Sequence, residues 1–433
     1  MIAYAYWGLT LLVFAILYAL GTRWKMKLWA RVVIALSLGA VIGYAFGPVA
    51  EQSKWIGDLF VRLIRMLVVP LIFTTIVAGI YAMGDPKRLG SIGIKAILLY
   101  MVTTFVAIVI GLGLGTAFQP GAGVELAGVE PEFLNLETPS VMERLFGIVP
   151  TNPVEALAQG AVLPIIFFSL LFGVGVVMAG DEGRPIGQVI TSAAEAVLKV
   201  AHIVMEIAPF GVYALVAWVA GVMGPEALQN LFKLMVLVYT GCFAHMILTY
   251  GGLVRFVLGL PIVRFFRGVL DAQAVAFSTS SSAATLPVTL TVVEENLGVK
   301  NTVASSVLPI GATINMDGTA LYLGIVTMFA VQIFGIDLSA FDYLMIALTV
   351  TLASIGTAAV PSAGLFLLAT VLTVVGINEA QTALIVGFIL PFDRPLDMMR
   401  TTVNVTGDAA VATAVGKWEG ELDEETFRRV NKA

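Results

Sequence analysis

Gly268-Val-Leu-Asp-Ala-Gln-Ala-Val-Ala-Phe277 is followed by Ser278-Thr279-Ser280-Ser281-Ser282 and then by Ala283-Ala-Thr-Leu-Pro-Val-Thr-Leu290. Two short, mostly apolar arms thus flank five consecutive hydroxyl residues. Each arm is about ten residues, near 16 Å of helix at roughly 1.5 Å per residue, against a hydrocarbon core of about 30 Å. Neither arm can cross a bilayer. The pattern returns downstream, where Met345–Ile355 leads into Gly356-Thr-Ala-Ala-Val-Pro-Ser-Ala-Gly364 and Leu365–Val375 follows. Both stretches predict helical hairpins that enter and leave on the same side of a membrane. Their tips would leave backbone N–H and C=O groups at membrane depth, which is tolerable only where protein or a watery cavity covers them. The alternative is two ordinary spans with kinks.

Complete spans, 300–335 and 380–416, alternate with these stretches, so the two hairpins must open from opposite faces. Interrupted segments in corresponding places are the mark of inverted repeats, with a site near the midplane. Upstream, apolar runs occupy 2–22, 28–47, 55–83, 92–118, 162–180, 195–223 and 230–260. Only 12% of the 433 residues are charged and 59% are apolar, about half the charge of a soluble domain. The expected class is an all-α polytopic membrane protein, which excludes a water-soluble enzyme.

Residues 2–22 carry no charge, and the first basic residues (Arg23, Lys25, Lys27, Arg31) come after them. A signal peptide would carry its positive charge first, so this reads as an uncleaved extra helix. Basic residues also cluster at Lys87, Arg88 and Lys95, at Arg255, Arg264 and Arg267, and at Lys417, Arg428, Arg429 and Lys432. The loop at 119–143 holds Glu125, Glu130, Glu132 and Glu137. The positive-inside rule then puts the basic clusters and the C-terminus in the cytoplasm of a cell (inner) membrane protein. One cysteine (Cys242) and two histidines (His202, His245) leave no disulfide framework and too few ligands for zinc. A net charge of −5 offers no basic face for nucleic acid.

Two polar sites stand out inside apolar spans. From Asp393 the chain reads Asp-Arg-Pro-Leu-Asp-Met-Met-Arg-Thr-Thr-Val-Asn-Val-Thr-Gly-Asp408. On a helix, Asp397, Arg400, Thr401, Asn404 and Asp408 fall within an arc of about 100°, with Asp393 and Arg394 extending the stripe. Met399, Val403 and Ala410 lie opposite. An ionisable group at mid-bilayer costs at least about 2.5–3.5 kcal/mol, so this stripe must face something polar. A purely structural Asp–Arg network is the bland alternative. The other site is Gly311-Ala-Thr313-Ile-Asn315-Met-Asp317-Gly318-Thr319. Asn315 and Asp317 would point about 160° apart on an intact helix, whereas an unwound turn bounded by Gly311 and Gly318 lets both converge with freed carbonyls. Carboxylate, amide oxygen and carbonyl suit a hard alkali cation such as Na⁺. A glycine kink with Asp317 in a salt bridge is the alternative.

Four strings carry a family resemblance: Ser278-Thr-Ser-Ser-Ser-Ala-Ala-Thr-Leu-Pro287, Asn315-Met-Asp-Gly-Thr319, Ala353-Ser-Ile-Gly-Thr-Ala-Ala-Val-Pro361 and Asp397 through Asp408. They resemble those of the dicarboxylate/amino acid:cation symporter family, the glutamate and aspartate transporters. The resemblance covers about residues 26–420 and omits the helix at 2–22. It implies a glutamate-transporter-like fold with two re-entrant helical hairpins and inverted repeats. It also implies a homotrimer in the lipid bilayer, whose static scaffold holds a transport domain that slides in an elevator motion. The expected divisions are an extra apolar helix (1–25), scaffold helices (26–80), a first transport-domain helix with an extracellular loop (81–150), further scaffold helices (151–260), a transport domain (261–420) and a cytoplasmic tail (421–433).

By the same resemblance, Arg400 grips the side-chain carboxylate of an acidic amino acid and Asp397 takes its amino group. A guanidinium fork pairs bidentately with a carboxylate, and a fixed carboxylate suits an ammonium. Ser281, Ser282, Thr319, Val360, Gly364, Thr401 and Asn404 complete the substrate contacts. More than one co-transported Na⁺ is implied. One site is matched by Gly311, Asn315, Asn404 and Asp408; a second by backbone at Thr313, Ser354, Ile355 and Thr357; a third by Tyr100, Thr103, Thr104, Asn315 and Asp317. The tip at 356–364 is the outer gate.

Some archaeal members carry an arginine in the first tip where this chain has Ser280. Here Arg394 stands one turn before the Asp397–Arg400 pair and is expected to reach the same region. Proton-coupled and dicarboxylate relatives tend to lose the aspartates matching Asp408 or Asp397. Both are present here, which favours sodium and an amino acid over a proton-coupled C4-dicarboxylate symporter, the main alternative. An intramembrane aspartyl protease using Asp317 and Asp408, and a channel, are the readings from other classes.

Overall fold

The computed structural model describes residues 1–83, 86–124, 146–147, 149–355 and 363–428. The first helices follow the apolar runs to within a few residues: α1 (Ile2–Thr22), α2 (Leu28–Phe46), α3 (Lys54–Met83) and α4 (Pro86–Phe118). Gly90, at φ 56°, breaks the start of α4, so its long regular part begins where the apolar run does. Next come α5 (Pro153–Gln159) and α6 (Val162–Met178). The run 195–223, expected as one span, is two helices instead: α7 (Arg184–Glu206) and α8 (Ala208–Trp218). Pro209 explains the break, since proline is welcome in the first turn of a helix and cannot donate to the turn before it.

α9 (Pro225–His245) continues through two wide turns at Met246–Tyr250 and Leu253–Val257. α10 (Ile262–Gly268) leads into α11 (Leu270–Thr279) and α12 (Ser282–Glu295), joined by Ser280 and Ser281 alone. Ser280 takes a left-handed conformation (φ 53°), and the Ser281 side chain caps α12 by accepting from the Ala284 N–H at 3.2 Å. α11 and α12 pack on each other. Their 10 and 14 residues amount to about 15 and 21 Å of helix, short of the hydrocarbon thickness.

α13 (Asn301–Ile314) and α14 (Asp317–Ile333) replace the single span read at 300–335. α15 (Ala340–Ile355) and α16 (Ala363–Val374) also pack on each other; the tip at 356–362 lies outside the described residues. α17 (Glu379–Trp418) and the short α18 (Glu424–Arg428) end the chain.

Six helical stretches among the described residues are long and apolar enough to cross a bilayer. Exposed Leu98, Val102, Phe105 and Val109 form a helical-period stripe on α4, a surface suited to lipid rather than water. The chain is a polytopic helical membrane protein. Within it, α2, α3, α6, α7 and α8 pack together, and α1 lies against α2 and α8 through Tyr6, Val13 and Leu17. A second set wraps α14 and α17 with α4, α9, α11 and α13. The stretch 314–331 is buried as thoroughly as a soluble protein's core, so the polar groups on it depend on neighbouring helices for partners.

At one end of this second set the C-terminal segment folds back. Val299 and Leu422 form an antiparallel bridge, the Asp423 N–H bonds to the Gly298 carbonyl at 2.8 Å, and Lys95 on α4 meets Glu419 at 2.6 Å. Arg264 donates to the Phe427 carbonyl. Basic residues from three of the predicted clusters therefore meet at the same end.

Candidate functional site

Asp393, Asp397, Arg400, Asn404 and Asp408 recur every three or four residues, so one stripe of α17 carries them all. Each is 5% exposed or less. They divide between two centres.

Arg400 organises the first. Its Nη2 donates to Asp397 Oδ1 at 2.8 Å and Asp393 Oδ1 at 2.9 Å, and its guanidinium lies over the Tyr322 ring with Cζ 4.1 Å from the centroid. Nε and Nη1 are buried and have no hydrogen-bond partner among the described residues. A Cβ added at Gly364 would stand 3.1 Å from Nη1 and 3.2 Å from Thr319 Cγ2, so α14, α16 and α17 meet here. Such a half-used guanidinium, rigid on an aromatic face, can still bind a planar carboxylate. Arg394 donates from Nη2 to the Thr279 carbonyl at 3.3 Å, with Nη1 3.9 Å from Asp397 Oδ2. It thus reaches the turn between α11 and α12 from the last long helix, the region expected from sequence.

The second centre is the break between α13 and α14. Asn315 (φ −84°, ψ 88°) and Met316 (φ −115°, ψ 45°) are non-helical. The unwound piece is shorter than the Gly311–Gly318 interval, because both glycines sit inside helices. They serve close approach instead: a Cβ at Gly311 would strike the Tyr100 hydroxyl and the Asp408 carboxylate, and one at Gly318 would strike the Arg400 backbone. Across the break, Asn315 Nδ2 donates to Asp408 Oδ1 at 2.9 Å and to the Asn404 carbonyl at 3.0 Å. Asp317 accepts from Thr104 at 2.6 Å, Tyr250 at 2.8 Å and His245 at 3.2 Å. Asn404 links the centres, its Oδ1 accepting from the Gly318 N–H at 2.8 Å.

The remaining candidates fall into place unevenly. Tyr100 is buried and donates to the Val307 carbonyl, while Thr103, Thr313 and Thr401 spend their hydroxyls on their own helices. Thr319 and Ser282 are buried in the first turns of α14 and α12, and Ser281 caps α12. Ser354 and Ile355 close α15; Thr357 and Val360 lie outside the described residues.

Asp317 and Asp408 are fully buried carboxylates that meet no lysine or arginine among the described residues. A buried charge without a partner is costly. Asn315 Oδ1 is likewise buried with no partner among the described residues, beside the Asp408 carboxylate and the Asn404 carbonyl. An oxygen-only donor set with negative charge to spare fits a hard cation. The residues present therefore fit Na⁺.

Sequence reading missed Tyr322, His245 and Tyr250. Tyr322 lies in an unbroken apolar run that gives no cue. His245 does give one, a titratable side chain inside the 230–260 run, but its sequence neighbours name no partner for it.

The sequence pattern of the sodium:dicarboxylate symporter family matches residues 28–418. A proton/sodium-glutamate symport protein of Bacillus caldotenax is 36% identical over 412 residues, covering 93% of this chain and 96% of that protein. A proton/glutamate-aspartate symporter of Escherichia coli (strain K12) is 36% identical over 420 residues, 92% and 94% of the two chains. A C4-dicarboxylate transport protein of Azorhizobium caulinodans is 32% identical over 411 residues, 93% and 91%. The matched stretch leaves out α1 and takes in both buried centres, and the chain belongs to the sodium:dicarboxylate symporter family, a family of transporters rather than enzymes.

Proposed function

We propose that the chain is a sodium-coupled symporter of acidic amino acids, glutamate or aspartate, in the cell membrane, with its C-terminus in the cytoplasm. The observation that carries this reading is the buried Arg400–Asp397 pair next to two carboxylates that meet no lysine or arginine among the described residues. Arg400 takes the side-chain carboxylate of the substrate and Asp397 its ammonium, with Ser281, Ser282, Thr319, Val360, Gly364, Arg394, Thr401 and Asn404 around them. Asp317 and Asp408 are balanced by sodium. Relatives named as proton/sodium-glutamate and proton/glutamate-aspartate symporters support the substrate class.

In this reading α11–α12 and α15–α16 are re-entrant hairpins related by inverted repeat, and they move with α4, α13, α14 and α17 in an elevator motion. The scaffold comprises α2, α3 and α6–α8 and assembles as a trimer. α9, expected among the scaffold helices at 151–260, travels with the moving unit instead, because it supplies His245 and Tyr250 to Asp317 and its Tyr239 donates to the Pro395 carbonyl.

Proteoliposomes loaded without sodium test the reading. Labelled aspartate or glutamate accumulates with an inward Na⁺ gradient and not with a pH gradient alone. Full uptake on a pH gradient in sodium-free buffer contradicts sodium coupling. Succinate that displaces labelled aspartate as well as glutamate does would favour the C4-dicarboxylate function of the Azorhizobium relative.

A further inference from the structure

Asp317 takes hydrogen bonds from two other helices, Thr104 on α4 and the pair His245 and Tyr250 at the end of α9. His245 and Tyr250 are five residues apart. On an uninterrupted α-helix that separation turns two side chains about 140° from each other. Here α9 passes into a wide turn over Met246–Tyr250, with the Gly251 N–H bonded to the Met246 carbonyl five residues back. Such a turn holds one residue more than an α-turn, and wide turns of this kind recur at functional sites. Its effect is local and definite: both donors converge on Oδ2 of Asp317, at 3.2 and 2.8 Å. The two rings meet edge to face, 4.8 Å between centroids, and both residues are wholly buried. Thr249 Oγ1 stands 3.1 Å from His245 Nδ1. The other ring nitrogen, Nε2, faces the carboxylate, which accepts from an Nε2–H.

An ionised carboxylate offers about four acceptor positions. Thr104, His245 and Tyr250 take three of them from two sides. We infer that His245 and Tyr250 are positioning residues of the cation site: the wide turn in α9 exists to bring both onto Asp317, fixing the orientation in which its carboxylate meets sodium. The inference rests on the sodium reading of Asp317 given above. Outer partners that orient a metal ligand are typically worth about 10–100-fold in metal affinity. A buried histidine that only filled space would contribute to folding and leave the cation's affinity alone.

The test is the Na⁺ concentration that half-maximally stabilises the purified full-length protein against heat, without substrate and with choline as the ionic control. His245→Ala raises that midpoint about tenfold. His245→Gln, whose amide N–H can reach the same oxygen, recovers most of the loss. Tyr250→Phe, which removes one oxygen and keeps the ring, shifts the midpoint in the same direction as His245→Ala. Melting temperatures at saturating Na⁺ check that the variants are folded. Parent-like midpoints in both His245→Ala and Tyr250→Phe overturn the positioning role while leaving the sodium reading intact. A parent protein that gains no more from Na⁺ than from choline overturns the sodium reading, and this inference with it.

Discussion

In the proposed function, Arg400 is the residue on which substrate charge turns. It is wholly buried, over the Tyr322 ring, and shared between Asp393 and Asp397 through a single nitrogen, which leaves the rest of the guanidinium for a carboxylate. In Arg400→Cys the pocket retains Asp397 for an amino group and loses the partner of a second carboxylate. Affinity for aspartate and glutamate is expected to fall by about 2–5 kcal/mol, with neutral amino acids such as serine becoming competitive. Aspartate affinity within twofold of the parent would make the arginine structural. Most of this stripe was legible in the sequence because three- and four-residue spacing puts Asp393, Asp397, Arg400, Asn404 and Asp408 on one helix face whatever the surroundings. What completes the centres was not legible. Tyr322, His245 and Tyr250 arrive from other helices, and in the two α9 residues the register itself is changed by a wide turn that no local pattern announces.

Elements were legible in proportion to how much their lengths constrain them. Short apolar arms forced a turn between α11 and α12, and the structure makes it with only Ser280 and Ser281. Ser280 adopts the left-handed conformation that costs an ordinary residue about 1–2 kcal/mol. Ser280→Gly should therefore leave the melting temperature unchanged or raise it, while β-branched Ser280→Val lowers it; the reverse order would show that the turn draws on the serine hydroxyl. Continuous apolarity misled at 195–223, where hydropathy cannot see that Pro209 ends one helix and opens the next.

The folding back of the C-terminal segment was equally invisible, since it joins residues more than 100 apart in sequence. Lys95 and Ser91 hydrogen-bond to Glu419 and hold its carboxyl below the usual carboxylate range. A lowered folded value means that the contribution is present above the unfolded value and is lost as pH falls through the folded one. Glu419→Gln should thus melt below the parent at neutral pH, and the two melting temperatures should converge as acidification passes below the ordinary glutamate value of about 4.3. A constant gap across that range would detach the stability from the carboxylate's charge.

At the scale of the whole molecule, the two centres are one unit. Asn404 bonds to Asn315 through its carbonyl and to Gly318 through its side chain, one turn beyond Arg400 on the same helix. Ordering the break between α13 and α14 around a cation therefore orders the wall of the substrate centre, and the coupling must be reciprocal. On the proposed sodium reading, Asp408→Asn removes a charge that the cation needs and the substrate does not touch. It should flatten the sodium dependence of substrate affinity more than it weakens binding at saturating salt. The central claim is that coupling itself, and it is read most directly by titrating labelled aspartate and glutamate onto the purified protein at graded Na⁺, with choline holding ionic strength. Affinity for the transported acidic amino acid is expected to rise with Na⁺ with a log–log slope above one; equal affinity in sodium and in choline would contradict the account.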